Sequence, residues 1–251
     1  MNIGITGSDG FIGKHLVATL KGKKNLKLSY FNLPEYNLLN PDSLKRFVKN
    51  KDVIIHLAAV NRGTNTEVIV GTVVATHNLL SAMEKYQSKA KLIFLSSIQA
   101  ETDTIYGQSK KLTEILLEDF SQRTKVPVTV FRTTNVFGEG CRPFYNSVVA
   151  TFCYQVVNSQ KLTIKNRSRK INFIYVEDLI KLIVREVFIK RKKSFYLKRI
   201  VPNNEISISE LAKLIKSFKN LKDRKIFKSK FYKDLYKTYL SYEHGYGEQK
   251  T

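Results

Sequence analysis

A tyrosine and a lysine lie four residues apart in the segment Tyr106-Gly-Gln-Ser-Lys110. If a helix begins there, both side chains project from one face of it. A phenol with an ordinary pKa of about 10 is a poor acid–base catalyst at neutral pH, whereas a neighbouring ammonium group favours the phenolate and lowers that pKa. The pair therefore predicts proton-transfer chemistry centred on Tyr106.

A second hydroxyl group precedes this helix. The predicted strand before it ends in Leu95-Ser96-Ser97, and open α/β folds bind their ligands at the carboxyl edge of the sheet. We therefore predict Ser97, Tyr106 and Lys110 as the catalytic set. Ser96 is the alternative to Ser97, because a shift of one residue in the strand exchanges the two.

Three glycines follow the first predicted strand with the spacing G-x-x-G-x-x-G, at Gly7, Gly10 and Gly13. Such glycines allow a tight turn, close approach of the backbone to a pyrophosphate, and close packing of helix and strand. The helix that begins at Phe11 and Ile12 would offer unpaired N–H groups to the phosphates. The pattern predicts dinucleotide binding; a tight turn without a ligand is the alternative.

The end of the second predicted strand bears on the choice of dinucleotide. A site for NAD usually has an acidic residue about 20 residues beyond the glycine turn, which holds the ribose 2′-hydroxyl. Here the strand is followed by Asn32, and the next carboxylate is that of Glu35. A 2′-phosphate would meet no repulsion at Asn32, so the sequence favours NADP(H) over NAD(H).

The elements that must position these residues follow an alternating pattern. Short apolar runs rich in β-branched residues alternate with segments of helical period through about 130 residues, as in a parallel sheet with right-handed crossovers. The predicted strands are Asn2–Thr6, Leu26–Phe31, Val53–Leu57, Lys91–Ser96 and Val126–Phe131. The fold class is therefore α/β, a Rossmann-type doubly wound parallel sheet with a smaller C-terminal substrate-binding lobe. We expect the NAD(P)-binding domain to comprise residues 1–165, with 171–190 returning to it, and residues 191–251 to form part of the lobe.

The chain carries 43 Lys and Arg against 21 Asp and Glu, a net charge of +22. This excess attracts polyanions, among them nucleic acids, anionic membranes and phosphorylated small molecules. Basic residues are spread over many segments and no nucleic-acid-binding motif stands out, so we predict neither a nucleic-acid nor a membrane partner. A dinucleotide-binding regulator without chemistry is an alternative class, and the Tyr106/Lys110 pair argues against it.

Cysteine content and apolar runs bear on compartment and metals. The two cysteines, Cys141 and Cys153, are too few for a disulfide framework and are not spaced as a metal site. No basic leader with an apolar core begins the sequence, and no apolar run approaches the roughly 18 residues of a membrane span. We expect a cytoplasmic protein with no metal site.

In these residues and their spacing, the chain resembles the extended short-chain dehydrogenases/reductases, which form the NAD-dependent epimerase/dehydratase superfamily that acts on nucleotide sugars. The segments that carry the resemblance are Thr6–Gly13, His56–Ala59, Tyr106–Lys110, Arg132–Gly138 and Phe173–Leu179.

A narrower resemblance is to the CapF-type capsular-polysaccharide reductases. It is carried by the segments Val60–Arg62, Leu95–Ala100, Tyr145–Cys153 and Lys233–Tyr242. That resemblance implies NADPH-dependent reduction of the 4-keto group of a UDP-2-acetamido-2,6-dideoxy-hexulose, on the route to UDP-N-acetyl-L-fucosamine. Another nucleotide-sugar epimerase or dehydratase is the alternative.

The CapF-type proteins usually continue into a zinc-containing cupin domain that epimerises the keto sugar first. This sequence ends soon after Leu240-Ser241-Tyr242. Either that domain has been removed or a separate cupin epimerase supplies the step, so neither the epimerase activity nor its metal is assigned to this chain.

The resemblance also implies roles for individual residues. Tyr106 would donate a proton to the C4 oxygen, Lys110 would hold the nicotinamide ribose and lower the pKa of Tyr106, and Ser97 would polarise the carbonyl. Because the interval between Ser97 and Tyr106 is shorter than in many relatives, Thr102 or Thr104 could replace Ser97. The cofactor-binding set would further include Leu57, Ala58 and Ala59.

Three polar residues are expected to bind the substrate. Arg62, Asn135 and Arg142 follow predicted strands and would face the carboxyl edge of the sheet, where an arginine can bind a diphosphate bidentately; solvated loop charges are an equal alternative for the two arginines. His56 is expected to be structural rather than catalytic.

As is common in the superfamily, we expect a homodimer formed through the predicted helices Thr66–Lys85 and Ser109–Arg123.

Overall fold

The computed structural model describes residues 1–164, 166–191, 194–221 and 229–245. The chain divides into two compact units. The first consists of Met1–Thr133 and Ile180–Ile200, and the second of Thr134–Leu179 and Val201–Thr251.

Strands and helices follow one another along both units of the chain. In chain order the strands are β1 (Asn2–Thr6), β2 (Lys27–Phe31), β3 (Val53–His56), β4 (Lys91–Ser97), β5 (Val128–Thr133), β6 (Asn135–Phe137), β7 (Lys170–Tyr175), β8 (Phe195–Ile200) and β9 (Glu205–Ser207). The α-helices are α1 (Phe11–Lys21), α2 (Pro41–Val48), α3 (Asn65–Ile69), α4 (Ala75–Lys85), α5 (Ile105–Thr124), α6 (Val148–Val157), α7 (Val176–Phe188), α8 (Ile208–Ser217) and α9 (Lys230–Glu243).

The first unit contains a six-stranded sheet in the order β2-β1-β3-β4-β5-β8. All of its strand pairs are parallel. The central strands are almost entirely buried, as expected where helices cover both faces of a parallel sheet. The predicted α/β Rossmann-type fold is therefore confirmed.

The helix predicted over Thr66–Lys85 is interrupted. A turn of π-helix at Val70–Val74 separates α3 from α4, and π turns occur mostly as single turns inside longer helices. Helix α3 begins with a capping box, in which Thr64 and Glu67 satisfy each other's backbone N–H groups. The periodicity located the helical segment, and the turn subdivides it.

The second unit has its own three-stranded sheet, ordered β6-β7-β9. Strand β6 pairs with β7 in parallel, and β7 pairs with β9 antiparallel. Residues 134–165 thus belong to the second unit rather than to the predicted domain 1–165, because β6 hydrogen-bonds to β7 and not to the large sheet. Conversely β8, predicted within the lobe, is an edge strand of the large sheet. Residues 192–193, 222–228 and 246–251 of the predicted lobe lie outside the described residues.

A helix that crosses a bilayer needs about 18 or more mostly apolar residues. Among the helices of the described residues, none is both long and apolar enough to cross a membrane.

Candidate active site

The glycine turn after β1 packs tightly against its neighbours. Gly7 has a φ of +69°, and a Cβ there would lie 2.9 Å from the backbone nitrogen of Ala58. A Cβ on Gly13 would lie 2.2 Å from the carbonyl oxygen of Gly7. Any larger residue at Gly7 or Gly13 would force the turn away from β3 or from α1.

Helix α1 begins within this turn. Its N-cap is Gly10, which has no side chain to cap the first N–H groups. Those N–H groups, at Phe11 and Ile12, have no partner within the helix itself, and the positive end of the helix dipole lies there. The backbone is therefore suited to a pyrophosphate group, as the spacing predicts.

Asn32 joins the end of β2 to the glycine turn. Its Oδ1 accepts a hydrogen bond from the Ser8 backbone N–H at 2.9 Å, and its Nδ2 donates to the Ser8 hydroxyl at 2.6 Å. The position predicted to face the adenosine ribose thus holds a neutral amide.

The end of β3 lies beside β1. The backbone N–H of Leu57 donates to the Thr6 carbonyl at 3.2 Å, and that of Ala58 donates to the Thr6 hydroxyl, also at 3.2 Å. These bonds place the half-buried segment Leu57–Ala59 next to the glycine turn.

His56 is buried between two hydroxyl groups. Its Nδ1 lies 2.7 Å from Thr6 Oγ1, and its Nε2 lies 2.9 Å from Thr76 Oγ1. Burial, and to a smaller extent the nearby charge of Lys110, lowers the pKa of His56 to about 3. His56 is therefore neutral at physiological pH and joins β3 to α4, which agrees with the structural role expected for it.

Ser97 and Tyr106 come together. Ser97 ends β4 and Tyr106 lies in the first turn of α5, and hydrogen bonding by the Ser97 side chain acts to lower the pKa of the Tyr106 phenol. All three candidate hydroxyls have local partners: Ser97 accepts from the Gln99 backbone N–H at 3.1 Å, Thr102 donates to the Gln99 carbonyl at 2.8 Å, and Thr104 caps α5. Of the three, Ser97 is the one that acts on the pKa of Tyr106.

Ser96 points to a different partner. Its hydroxyl donates to the Glu114 carboxylate at 2.6 Å in the buried interior. Successive residues of a strand face opposite sides of the sheet, so only one of the two serines reaches Tyr106.

Lys110 lies one helical turn beyond Tyr106 and is only 3% exposed. Its Nζ donates to the Leu95 carbonyl at 3.2 Å and lies 4.8 Å from the centre of the Phe94 ring. Burial lowers the pKa of Lys110 to about 8, while the carboxylate of Glu114 acts in the opposite direction.

The pKa of Tyr106 corrects the sequence expectation. Burial raises this pKa above its ordinary value, and the hydrogen bond with Ser97 only partly opposes the rise. The expected lowering by Lys110 is overturned because the loss of hydration of a buried phenolate outweighs the other influences. Tyr106 is consequently a protonated donor at neutral pH.

A buried carboxylate on α5 was missed by sequence reasoning. Glu114 is 3% exposed, and besides Ser96 it binds Arg132, whose Nε donates to it at 2.8 Å and whose guanidinium forms a second bond. Arg132 also donates to Glu101 at 2.9 Å. Because Glu114 follows Lys110 by four residues, helical periodicity could have predicted that the two side chains are close. No pattern in the sequence predicts the contact between Glu114 and Arg132.

The expected substrate-binding residues lie in both units. Arg62 is exposed in the segment after β3 of the first unit. Asn135 on β6 and Arg142, whose guanidinium lies 5.6 Å from the centre of the Tyr145 ring, belong to the second unit. Their participation in one site remains a prediction.

A sequence profile described as the NAD dependent epimerase/dehydratase family matches residues 3–188. The match covers most of the chain, including the glycine turn and the Ser97, Tyr106 and Lys110 positions. The chain belongs to this family.

Within the epimerase/dehydratase family, one relative is a UDP-2-acetamido-2,6-beta-L-arabino-hexul-4-ose reductase of Pseudomonas aeruginosa. It is 33% identical over 248 residues, covering 96% of this chain and 65% of the relative. The crystal structure of the capsular polysaccharide assembling protein CapF from Staphylococcus aureus is similar with a TM-score of 0.77 and 32% identity, over 96% of this chain and 65% of that one. The predicted resemblance to CapF-type proteins is confirmed, and this chain spans about two thirds of the length of both.

Fold similarity extends further in the epimerase/dehydratase family. The structure of RMD from Pseudomonas aeruginosa complexed with NADPH gives a TM-score of 0.83 at 19% identity, over 96% of this chain and 99% of that one. At this identity the likeness concerns the fold alone. The glycine turn, with Gly7 and Gly13 at positions that admit no Cβ, fits the dinucleotide that the family name implies.

Proposed function

We propose that this chain is an NADPH-dependent reductase of the 4-keto group of a UDP-2-acetamido-2,6-dideoxy-hexulose, acting in the cytoplasm in capsule or O-antigen sugar synthesis. The observation that carries the proposal is the placement of Ser97 and Tyr106 beside the buried Lys110, whose Nζ lies 5.8 Å from the centre of the Tyr106 ring. The similarity to a reductase of such a sugar supports the choice of substrate.

The three side chains would divide the work. Tyr106 donates its phenolic proton to the C4 oxygen, and Ser97 donates a hydrogen bond to the same oxygen and polarises the carbonyl. The raised pKa of Tyr106 suits this direction, because an acid that stays protonated at neutral pH is required for reduction. Bound NADPH supplies the hydride that adds to C4.

Lys110 would act on the cofactor. Its ammonium group hydrogen-bonds the nicotinamide ribose and stabilises the negative charge left on Tyr106 after proton transfer. In the described residues Lys110 donates to one partner, the Leu95 carbonyl, although an ammonium group has three N–H donors. That leaves donors for a ribose hydroxyl.

The preference for NADP(H) rests on Asn32. A neutral amide next to Ser8 repels no 2′-phosphate, whereas a carboxylate would. We expect Asn32→Asp to weaken NADPH binding about 10-fold and to leave NADH binding much less changed. Titrations of both cofactors by nicotinamide fluorescence test this, and equal loss for the two would contradict it.

The UDP group would be bound by Arg62, Asn135 and Arg142, with the second unit as the substrate lobe. The preceding epimerisation would come from a separate cupin protein or from a part of the protein beyond this sequence. These assignments follow the position of Arg62 after β3, of Asn135 at the start of β6, and of Arg142 after β6.

A homodimer is proposed through α3, α4 and α5. Apolar side chains on this face of the first unit are unusually exposed, namely Ile69, Val74, Leu112 and Ile115. A second copy of the chain would cover them. Light scattering at micromolar concentration should give the mass of a dimer; a monomeric mass would contradict the proposal.

The decisive experiment follows NADPH oxidation at 340 nm with an enzymatically prepared UDP-2-acetamido-2,6-dideoxy-4-hexulose. Tyr106→Phe should lower kcat by about 10³-fold because it removes the proton donor. Tyr86→Phe, a hydroxyl deletion at the C-terminus of α4, is the matched control and should keep wild-type rates. Absence of sugar-dependent oxidation by the wild type, despite NADPH binding, would refute the reductase proposal.

A further inference from the structure

Two buried hydroxyl groups in the described part of the chain have no hydrogen-bond partner: those of Thr133 and Ser88. Thr133 is only 5% exposed. Burying a hydroxyl without a partner is unfavourable, so most buried polar groups in proteins are paired. An unpaired one therefore calls for a physical explanation.

The two hydroxyl groups lie at opposite ends of the large sheet. Thr133 is the last residue of β5, at the carboxyl edge. Ser88 lies between α4 and β4, before the amino end of that strand. Ligands bind at the carboxyl edge in folds of this kind, so only Thr133 is placed to meet one.

Thr133 is next to the reacting groups. It is the register partner of Ser97 across β4 and β5, and paired residues of parallel strands project from the same face of a sheet. Ser97 in turn is the hydroxyl that acts to lower the pKa of the Tyr106 phenol. The residues before them, Ser96 and Arg132, form the previous register pair and share the carboxylate of Glu114 on the opposite face.

We propose that the Thr133 hydroxyl is a ligand-binding group of the active site, which hydrogen-bonds a polar group of the molecule that reacts beside Tyr106. This inference rests on the proposed function. Two sources share the required chemistry: the carboxamide of the nicotinamide ring and a hydroxyl group of the keto sugar. Either would satisfy the unpaired hydroxyl only when bound, so the hydroxyl costs stability in the free protein and adds affinity in the complex.

The test compares Thr133→Val with wild type in three measurements. Valine has nearly the same shape and lacks the hydroxyl, so the ligand-free variant should melt about 2–4 °C higher, because an unsatisfied polar group is removed. At the same time kcat/KM should fall about 10-fold, as expected for one lost hydrogen bond. Thr133→Ser restores the hydroxyl and should recover most of the activity.

Binding measurements separate the two sources. If the binary Kd for NADPH, read by fluorescence, rises about 10-fold in Thr133→Val, the partner is the nicotinamide. If that Kd is unchanged while binding of the keto sugar to the NADP⁺ complex weakens in calorimetry, the partner is the sugar. Ser88→Ala removes the other unpaired hydroxyl and should leave all binding and kinetic constants at wild-type values.

Unchanged affinities for both ligands in Thr133→Val would overturn the inference, and so would a lower melting temperature, because the hydroxyl would then be structural. Should the wild type fail to bind or reduce the keto sugar, the proposed function fails on its own. The NADPH Kd and the melting temperature then still decide the role of Thr133, and an unchanged Kd overturns it.

Discussion

Two buried lysines, Lys91 on β4 and Lys110 on α5, have similar neighbours and very different hydrogen bonding. Lys91 begins β4 at the amino edge and pairs with buried Glu186. Its Nζ donates to the Glu186 carboxylate at 2.5 Å, to the Glu186 carbonyl at 2.6 Å and to the Ile189 carbonyl at 2.9 Å. All three donors of the ammonium group are thus used within the protein.

Lys110, at the carboxyl edge, is the other case. It also has a buried carboxylate nearby, that of Glu114, which is held by an arginine as Glu186 is held by Arg191. Yet its one hydrogen bond in the described residues is to the Leu95 carbonyl. A fully paired cation joins elements of the fold, whereas a buried cation with donors to spare is available to a ligand.

The largest expected effect is a loss of activity on replacing Lys110. Lys110→Met should lower kcat by about 10³-fold, because the ribose and the developing phenolate lose their cation. The melting temperature should not fall, since a poorly paired buried charge is removed. Lys111→Met, an exposed neighbour on α5, is the control. NADPH oxidation and thermal melts measure both, and an active Lys110→Met enzyme would break the comparison.

The next largest effect is a loss of stability on replacing Lys91. Lys91→Met leaves the Glu186 carboxylate with a missing partner in the interior, so the free energy of unfolding should fall by about 3 kcal/mol. The kcat of the molecules that remain folded should not change. Urea denaturation and rates measured well below the transition test this, with the exposed Lys89→Met as control. A loss of kcat without a loss of stability would mean that Lys91 is not structural.

The smallest expected effect is a shift in the pH dependence of activity that depends on Lys110. Its pKa of about 8 predicts that activity declines as pH rises through that value and the ammonium group loses its proton. The groups facing it are Glu114 on its own helix, neutral His56 from β3, and the Tyr106 phenol. Since the Glu114 carboxylate favours the charged lysine, Glu114→Gln should move the decline about one pH unit lower.

The pH profile of kcat/KM for Glu114→Gln is compared with that of Glu118→Gln, an exposed change one turn further along α5. The control should keep the wild-type profile. An identical alkaline limb in the two variants would show that Glu114 serves only to bind Ser96 and Arg132.

Much of the fold and part of the site could be predicted from local patterns. Alternation of apolar runs and helical segments is a property of consecutive residues, so the parallel sheet and the position of β1 and α1 followed directly. The residues 134–165 could not be assigned in this way, because the partner of β6 is β7, more than 30 residues along the chain.

The sequence by itself determined the glycine turn and the spacing of Tyr106 and Lys110. Both depend on conformations that neighbouring residues adopt, so a short segment contains the information. Only the tertiary structure decided that Ser96 bonds to Glu114 while Ser97 acts on the pKa of Tyr106, and that burial raises this pKa instead of lowering it. Those properties depend on strand register and on hydration, which are set by residues distant in the chain, such as Glu114 and Arg132.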